Sequence, residues 1–159
     1  MFRLLALSLI SLVACADPAL TVVGRASIID GDTLEIQDQR IRLWGVDAPE
    51  SRQICNQPSG AYRCGQTAAN QLDQWIAGRP VSCVEDSRDR YRRMVARCEV
   101  GGEDVGAWLV RRGYAVRYPE YAGAAYMVQE VAARRDRAGV WSGAFDYPWD
   151  WRRAQRRPR

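Results

Sequence analysis

Two short stretches of the chain, Ile29-Asp30-Gly31-Asp32-Thr33 and Arg42-Leu43-Trp44-Gly45-Val46-Asp47-Ala48-Pro49-Glu50, concentrate four carboxylates and a guanidinium among turn-forming residues. Carboxylates brought close together repel unless a cation lies between them. Asp32 and Asp47 therefore point to a hard, oxygen-liganded divalent ion, with the Ala48 carbonyl as a further ligand. Glu50, held behind the stiff Pro49, is placed to orient or deprotonate a water. Arg42 has strand parity opposite to Ile41 and Leu43, and its guanidinium suits bidentate contact with a phosphodiester. A plainer reading stands beside this one. Asp30, Gly31, Asp32 and Asp47 are also ordinary turn residues, and Arg42 and Glu50 ordinary surface charges.

The composition narrows the chemistry further. The 159 residues include no histidine and no lysine, so all 23 basic residues are arginine. Ser-His-Asp and Cys-His nucleophile systems, His-bound metals, Schiff bases and the phosphate-loop lysine are excluded. The formal net charge is +4. Five of the arginines fall in Trp151-Arg152-Arg153-Ala154-Gln155-Arg156-Arg157-Pro158-Arg159, so the rest of the chain is slightly acidic. Attraction of nucleic acid by overall field is therefore not expected of the body, which needs a local arginine cluster.

Residues 1–16 read as an export signal: Arg3, an apolar run from Leu4 to Ala14, and the small residues Ala14-Cys15-Ala16 at a cleavage site. The run is too short to span a membrane. Leu12-Val13-Ala14-Cys15 equally fits a lipobox, which would anchor the chain by lipid at Cys15. The expected location is periplasmic or extracellular, or alternatively that of an envelope lipoprotein. Four cysteines remain beyond this segment, an even number in an exported chain, which suggests two disulfides. Cys83 and Cys98 lie at nearly equal distances from a polar turn around Arg90, and Cys55 and Cys64 flank a Pro/Ser/Gly loop, so the expected pairs are Cys55–Cys64 and Cys83–Cys98. A four-cysteine zinc site is the rival, without any Cys-x-x-Cys pair to support it.

The elements that must position these groups follow from periodicity. Leu20 to Ile29, Thr33 to Gln37 and Arg40 to Val46 read as a three-strand meander separated by Asp30-Gly31 and Asp38-Gln39 turns. Ser51 to Arg63 reads as a loop. Helical spacing of Ala68, Ala69, Leu72, Trp75 and Ile76 ends at Gly78-Arg79-Pro80. Val81 to Val84 and Tyr91 to Val100 are two more strands. Helices are expected over Asp104 to Arg112, stopped by Gly113, and over Tyr121 to Arg137, with Ala124, Val128, Val131 and Ala132 on its apolar face. Five short strands with interposed helices match a β-rich α+β fold, a five-stranded Greek-key barrel of the OB type. This domain is expected over residues 20–145, followed by an Arg-rich tail, residues 146–159.

From Thr21 to Trp151 the chain resembles the staphylococcal nuclease-like (thermonuclease) family. The resemblance is carried by the two stretches above, by Asp89-Arg90-Tyr91-Arg92-Arg93, by Ala107-Trp108-Leu109-Val110-Arg111-Arg112-Gly113-Tyr114-Ala115, and by Gly139-Val140-Trp141-Ser142-Gly143. It implies a five-stranded OB barrel with three helices. It also implies Ca²⁺-dependent hydrolysis of DNA and RNA, leaving 5′-hydroxyl and 3′-phosphate ends, with Mg²⁺ the second choice of metal. By position, Asp32 and Asp47 resemble the calcium carboxylates, and Ala48 stands where a threonine contributes its main-chain carbonyl. Arg42 and Arg93 resemble the phosphate clamps and Glu50 the residue that activates or orients water. Arg92 replaces a small residue of the family pattern, which leaves two candidate clamps; the motif register selects Arg93.

Tyr91 and Tyr118 are read as contacts for the base or sugar of the substrate, with core or rim tyrosines as the plainer reading. The Arg-rich tail is read as a solvated end, with nucleic-acid or anionic-membrane contact as alternatives. DNA and RNA are the expected substrates of a monomer. The rival function is a non-catalytic OB module that binds nucleic acid or protein in the envelope; the complete set Asp32, Arg42, Asp47, Glu50 and Arg93 argues against it.

Overall fold

The structure is a computed structural model that describes residues 19–156. The expected export signal, Cys15 and the last residues of the Arg-rich tail lie outside that range. Two strands, β1 (Thr21–Arg25) and β2 (Ser27–Asp30), are halves of one run bent at Ala26. A turn leads into β3 (Thr33–Ile36), and β4 (Gln39–Leu43) follows. Gln37 and Asp38 both take positive φ, so they form the two-residue hairpin turn and Gln39 already belongs to the strand. After the short β5 (Val46–Asp47) comes a hairpin of β6 (Ile54–Gln57) and β7 (Gly60–Arg63) where a plain loop was expected. Helix α1 spans Cys64–Ile76, β8 Pro80–Arg88 and β9 Met94–Val100. The short β10 (Glu103–Asp104) pairs with β9 and leads into α2 (Val105–Arg112).

The main sheet runs β1-β8-β9-β4-β3-β2, with β4 and β9 parallel and the other pairs antiparallel. Its two ends, β1 and β2, are the halves of the same bent strand, so the sheet curls back on itself. Counting that strand once gives the five-stranded OB-type barrel expected from the pattern. Alternation fills its interior: Leu34, Ile36, Ile41, Leu43, Val81 and Met94 are all buried, as are Leu72 and Ile76 of α1 and Leu109 of α2. The Asp104 carboxylate caps α2 by accepting the Ala107 N–H, and Gly113 ends the helix in the left-handed conformation.

Both expected disulfides are present. Cys83 and Cys98 face each other directly across β8 and β9, with Cα atoms 4.1 Å apart. Cys55 joins Cys64, the first residue of α1, with a Cα separation of 5.6 Å. All four thiols are thereby consumed, which removes the zinc alternative.

Two expectations for the C-terminal third need correction. The helix anticipated over Tyr121 to Arg137 is broken into α3 (Pro119–Ala122) and α4 (Met127–Arg135), because Gly123 and Tyr126 take positive φ. The Tyr126 hydroxyl donates to Asp104, and its ring meets Trp44 edge-on, so the side chain is pulled inward at the cost of helix continuity. On α4 the buried residues are Glu130 and Ala133, while Val128 and Val131 are exposed. The Glu130 carboxylate accepts from the Arg117 N–H and from the Arg134 side chain. The described part of the segment expected to be a solvated tail is instead largely helical: after β11 (Val116–Arg117), which pairs with β5, and a 3₁₀ turn at Gly139–Ser142, helix α5 covers Pro148–Gln155.

Candidate active site

The Asp30–Thr33 turn builds the first wall. Asp30 and Thr33 are paired across β2 and β3, and the Asp30 carboxylate accepts the Asp32 N–H at 3.0 Å. Gly31 is required here by proximity: a Cβ would lie 2.6 Å from that of Ala48. Without a side chain at Gly31, the backbone of Ala48 comes close enough to donate its N–H to Asp32 Oδ2 at 2.9 Å. Gly65 has a similar role on the other side, since a Cβ there would fall 2.0 Å from the Glu50 carbonyl oxygen. The N-terminal turn of α1 thus supports the Glu50 loop from beneath.

Arg42 joins the two aspartates. It lies opposite Thr33 across β3 and β4, which sets it beside Asp32. Its Nη1 donates to Asp32 Oδ1 at 2.9 Å and its Nη2 to Asp47 Oδ1 at 3.0 Å. Asp32 is 4% exposed and Asp47 fully buried. The negative charge of Asp32, aided by Asp47, raises the Arg42 pKa against the opposing effect of burial. Burial raises the Asp47 pKa, with the Arg152 hydrogen bond the leading opposing effect. Burial and the neighbouring Asp32 charge raise Asp30 to about 6.

A cleft of about 830 Å³ opens over this group, lined by Asp32, Arg42 and Glu50 on the barrel rim and by Tyr91, Arg93 and Tyr118 around its edge. The structure thus gathers nearly every site residue expected from the sequence around one cavity. Asp47 lies beneath it, tied to Arg42. Arg93 lines this cleft and Arg92 does not. The two are not consecutive strand residues, because Arg92 sits in the turn before β9 with φ of 64°. Arg93 Nε donates to Asp89 at 2.7 Å, and Tyr91, 66% exposed, lies beneath the Arg90 and Arg93 guanidiniums. Tyr118 already stacks one face on Trp149, with ring centres 5.2 Å apart.

Arg152 was missed from the sequence. It reaches into the group from α5: Nη1 contacts Asp47 Oδ1 at 3.0 Å and Glu50 Oε1 at 2.8 Å, and Nη2 contacts Asp47 Oδ2 at 2.8 Å. Burial disfavours its charge, yet the bonds to Asp47 and Glu50 prevail and raise its pKa. Helix α5 is fastened by Trp149, which stacks between Tyr118 and Tyr147. Gln53, also missed, is fully buried: its side chain donates to the Asp146 carbonyl and accepts the Glu50 N–H, tying the α5 approach to the Glu50 loop. A signal for α5 was available in Tyr147-Pro148, with proline at the first helical position, Asp150 in the first turn and arginines in the last.

The donor set is all oxygen, with two buried carboxylates, which fits a hard divalent ion in kind. Among the described residues no three acidic or cysteine side chains converge into a ready metal-holding group. Guanidiniums stand between the carboxylates.

The profile of the family described as staphylococcal nuclease homologue matches residues 40–143. The chain belongs to that family. It is 42% identical over 129 residues to the succinoglycan biosynthesis protein ExoI of Rhizobium meliloti, covering 79% of this chain and 68% of that one. It is 34% identical over 148 residues to an uncharacterized endonuclease of Escherichia coli O157:H7, covering 88% of each. Identity to the staphylococcal-like nuclease CAN1 of Arabidopsis thaliana is 30% over 119 residues, which are 74% of this chain and 34% of that protein. Family membership bears out the expected class: a nuclease, a hydrolase of phosphodiester bonds acting on nucleic acid. The two disulfides suit an oxidising compartment. Among the described residues no helix is long and apolar enough to cross a membrane.

Proposed function

We propose that this nuclease is Ca²⁺-dependent, cleaves both DNA and RNA with little sequence preference, and leaves 3′-phosphate and 5′-hydroxyl ends. The observation that carries this reading is the convergence of Asp32, Arg42, Asp47 and Glu50 on one rim of the barrel. Asp32, Asp47 and the Ala48 carbonyl would hold the ion. When bound, it would supply Lewis-acid stabilisation of charge on the phosphoryl oxygens.

The remaining work falls to the chain's own groups. Arg42 and Arg93, on two walls of the cleft, would take the non-bridging phosphate oxygens and hold the phosphorus in line for attack. Glu50, held at its backbone N–H by Gln53, would orient the attacking water or take its proton. The exposed Tyr91 and the remaining surface of Tyr118 would meet sugar or base without reading sequence. The protein would act as a monomer, exported to the periplasm or the medium, or held at the envelope through Cys15. Helix α5, stacked through Trp149 on Tyr118, would belong to the same functional unit, which would then run past residue 145.

The test is digestion of single-stranded DNA and RNA with Ca²⁺, with Mg²⁺ and with chelator, beside Glu50→Gln. Products should prime a polymerase only after phosphatase treatment, and Glu50→Gln should lose most of the turnover. Cleavage that persists in chelator or in Glu50→Gln would refute the proposed mechanism.

A further inference from the structure

We propose that Arg152 is the resident cation of the metal-free site. It holds Asp47 and Glu50 through the oxygens a divalent ion would need, and an incoming ion must displace it. The inference rests on the reading of Asp47 as a metal ligand. Both carboxylate oxygens of the buried Asp47 accept from Arg152, and one of them also accepts from Arg42. Neither is left without a donor. A calcium ligand oxygen lies within about 2.3–2.6 Å of the ion. A guanidinium nitrogen 2.8 Å from that same oxygen would then lie within about 5 Å of a second, doubly positive charge that competes with it for the carboxylate.

Of the two arginines at Asp47, Arg152 is the one able to leave. Arg42 is fixed on a strand paired on both sides, to β3 and to β9. Arg152 rides on a peripheral helix, and its side chain is 28% exposed. It also lines the same cleft as Arg42 and Arg93, so leaving Asp47 exposes it to whatever anion fills that cleft. The placement is built rather than incidental. Trp149 stacks one turn before Arg152, and the Gln53 bond to the Asp146 carbonyl fixes the approach to α5. Asp146, Trp149 and Arg152 lie beyond the residues matched by the family profile, whereas their partners Asp47, Glu50, Gln53 and Tyr118 lie within them.

The experiment is calorimetric titration of Ca²⁺ alone into the chelator-stripped full chain, with the melting temperature recorded in chelator. Arg152→Gln should bind Ca²⁺ at least tenfold more tightly than the unsubstituted chain and melt lower without metal. Arg152→Lys keeps the charge, but a single ammonium grips both carboxylates poorly, so its affinity should fall between the two. It also answers the question if Arg152→Gln fails to fold. Arg153→Gln, at an exposed residue whose one ion pair among the described residues is with Asp150, should leave both readings unchanged. Equal or weaker Ca²⁺ binding by the Arg152 variants would overturn the proposal. If the unsubstituted chain cleaves DNA with Ca²⁺ and the variants gain no affinity, the inference about Arg152 falls alone. If the unsubstituted chain neither binds Ca²⁺ nor cleaves with it, the proposed calcium-dependent function falls with it.

Discussion

Arg42 and Arg152 grip the same aspartate by different means. Arg42 is delivered by the barrel: β4 is hydrogen-bonded along both edges, and its side chain closes a buried triangle with Asp32 and Asp47. Arg152 is delivered by side-chain packing, a tryptophan wedged between two tyrosines on a short helix. Breaking the first arrangement means opening the sheet. Breaking the second needs only local undocking, which costs a fraction of global stability. The rim therefore combines a half held by the sheet with a half held by side-chain packing, and on the proposed reading only the second yields to a ligand.

Removing Arg42 should produce the largest effect. Arg42→Ala leaves Asp32 without its ion pair and Asp47 with Arg152 alone. Loss of one partner from a buried charge group typically costs about 3 kcal/mol of stability. Loss of a phosphate donor should also lower kcat by roughly 10²–10³-fold. Chemical denaturation and turnover should thus fall together in Arg42→Ala. If turnover falls while stability holds, the Asp32–Arg42–Asp47 group is not the fixed element described here.

Breaking the other half at its fastening should be milder and of a different kind. Trp149→Ala removes a stacked, half-buried ring, worth roughly 2 kcal/mol of local packing. Hydrogen exchange should then accelerate over residues 146–156 while the barrel strands keep their protection. Its Ca²⁺ affinity should move in the same direction as that of Arg152→Gln. An unprotected barrel in Trp149→Ala would mean that α5 and the sheet unfold as one unit, and the contrast between the two halves would be lost.

The same contrast explains what could be read from residues alone. Asp32, Arg42 and the Cys83–Cys98 pair were legible because strand ladders turn sequence spacing into spatial register. Cys55–Cys64 was legible because the loop between them is short. Arg152 was not, because its bond to Asp47 spans 105 residues and rests on aromatic stacking, which leaves no periodic trace. A run of arginines after a tryptophan looks the same whether solvated or docked. The face of α4 was misread for a related reason. Val128 and Val131 have helical spacing, but burial went to Glu130, because Arg117 and Arg134 offer it partners there. Periodicity reports apolar surface and is blind to a carboxylate that brings its own cations. For Arg92 and Arg93, the motif register selected the residue that lines the cleft, although the strand expected from Tyr91 begins only at Met94, beyond the positive φ of Arg92.

The smallest expected effect separates a third region, the Asp89–Arg93 turn, from both halves. Asp89 accepts the Tyr91 and Arg93 N–H groups and the Arg93 Nε–H, so one carboxylate shapes the loop and orients the Arg93 guanidinium. Slight burial opposes its ionisation, but the hydrogen bonds from Arg93 prevail and hold its pKa below the ordinary carboxylate value. A carboxyl depressed by folding contributes stability that is complete above its unfolded pKa, about 3.9, and drains away as pH falls through the folded value. Asp89→Asn should therefore be less stable than the unsubstituted chain at pH 7, with the gap closing as pH falls below about 3.9. The turn is exposed, so the gap should be small, under about 1 kcal/mol. The kinetic signature should be a raised KM for single-stranded DNA at pH 7, since asparagine cannot hold the Arg93 guanidinium as a charge pair. A gap that widens in acid would mean that the Asp89–Arg93 pair does not survive in solution and that Arg93 is aimed by something other than its own loop.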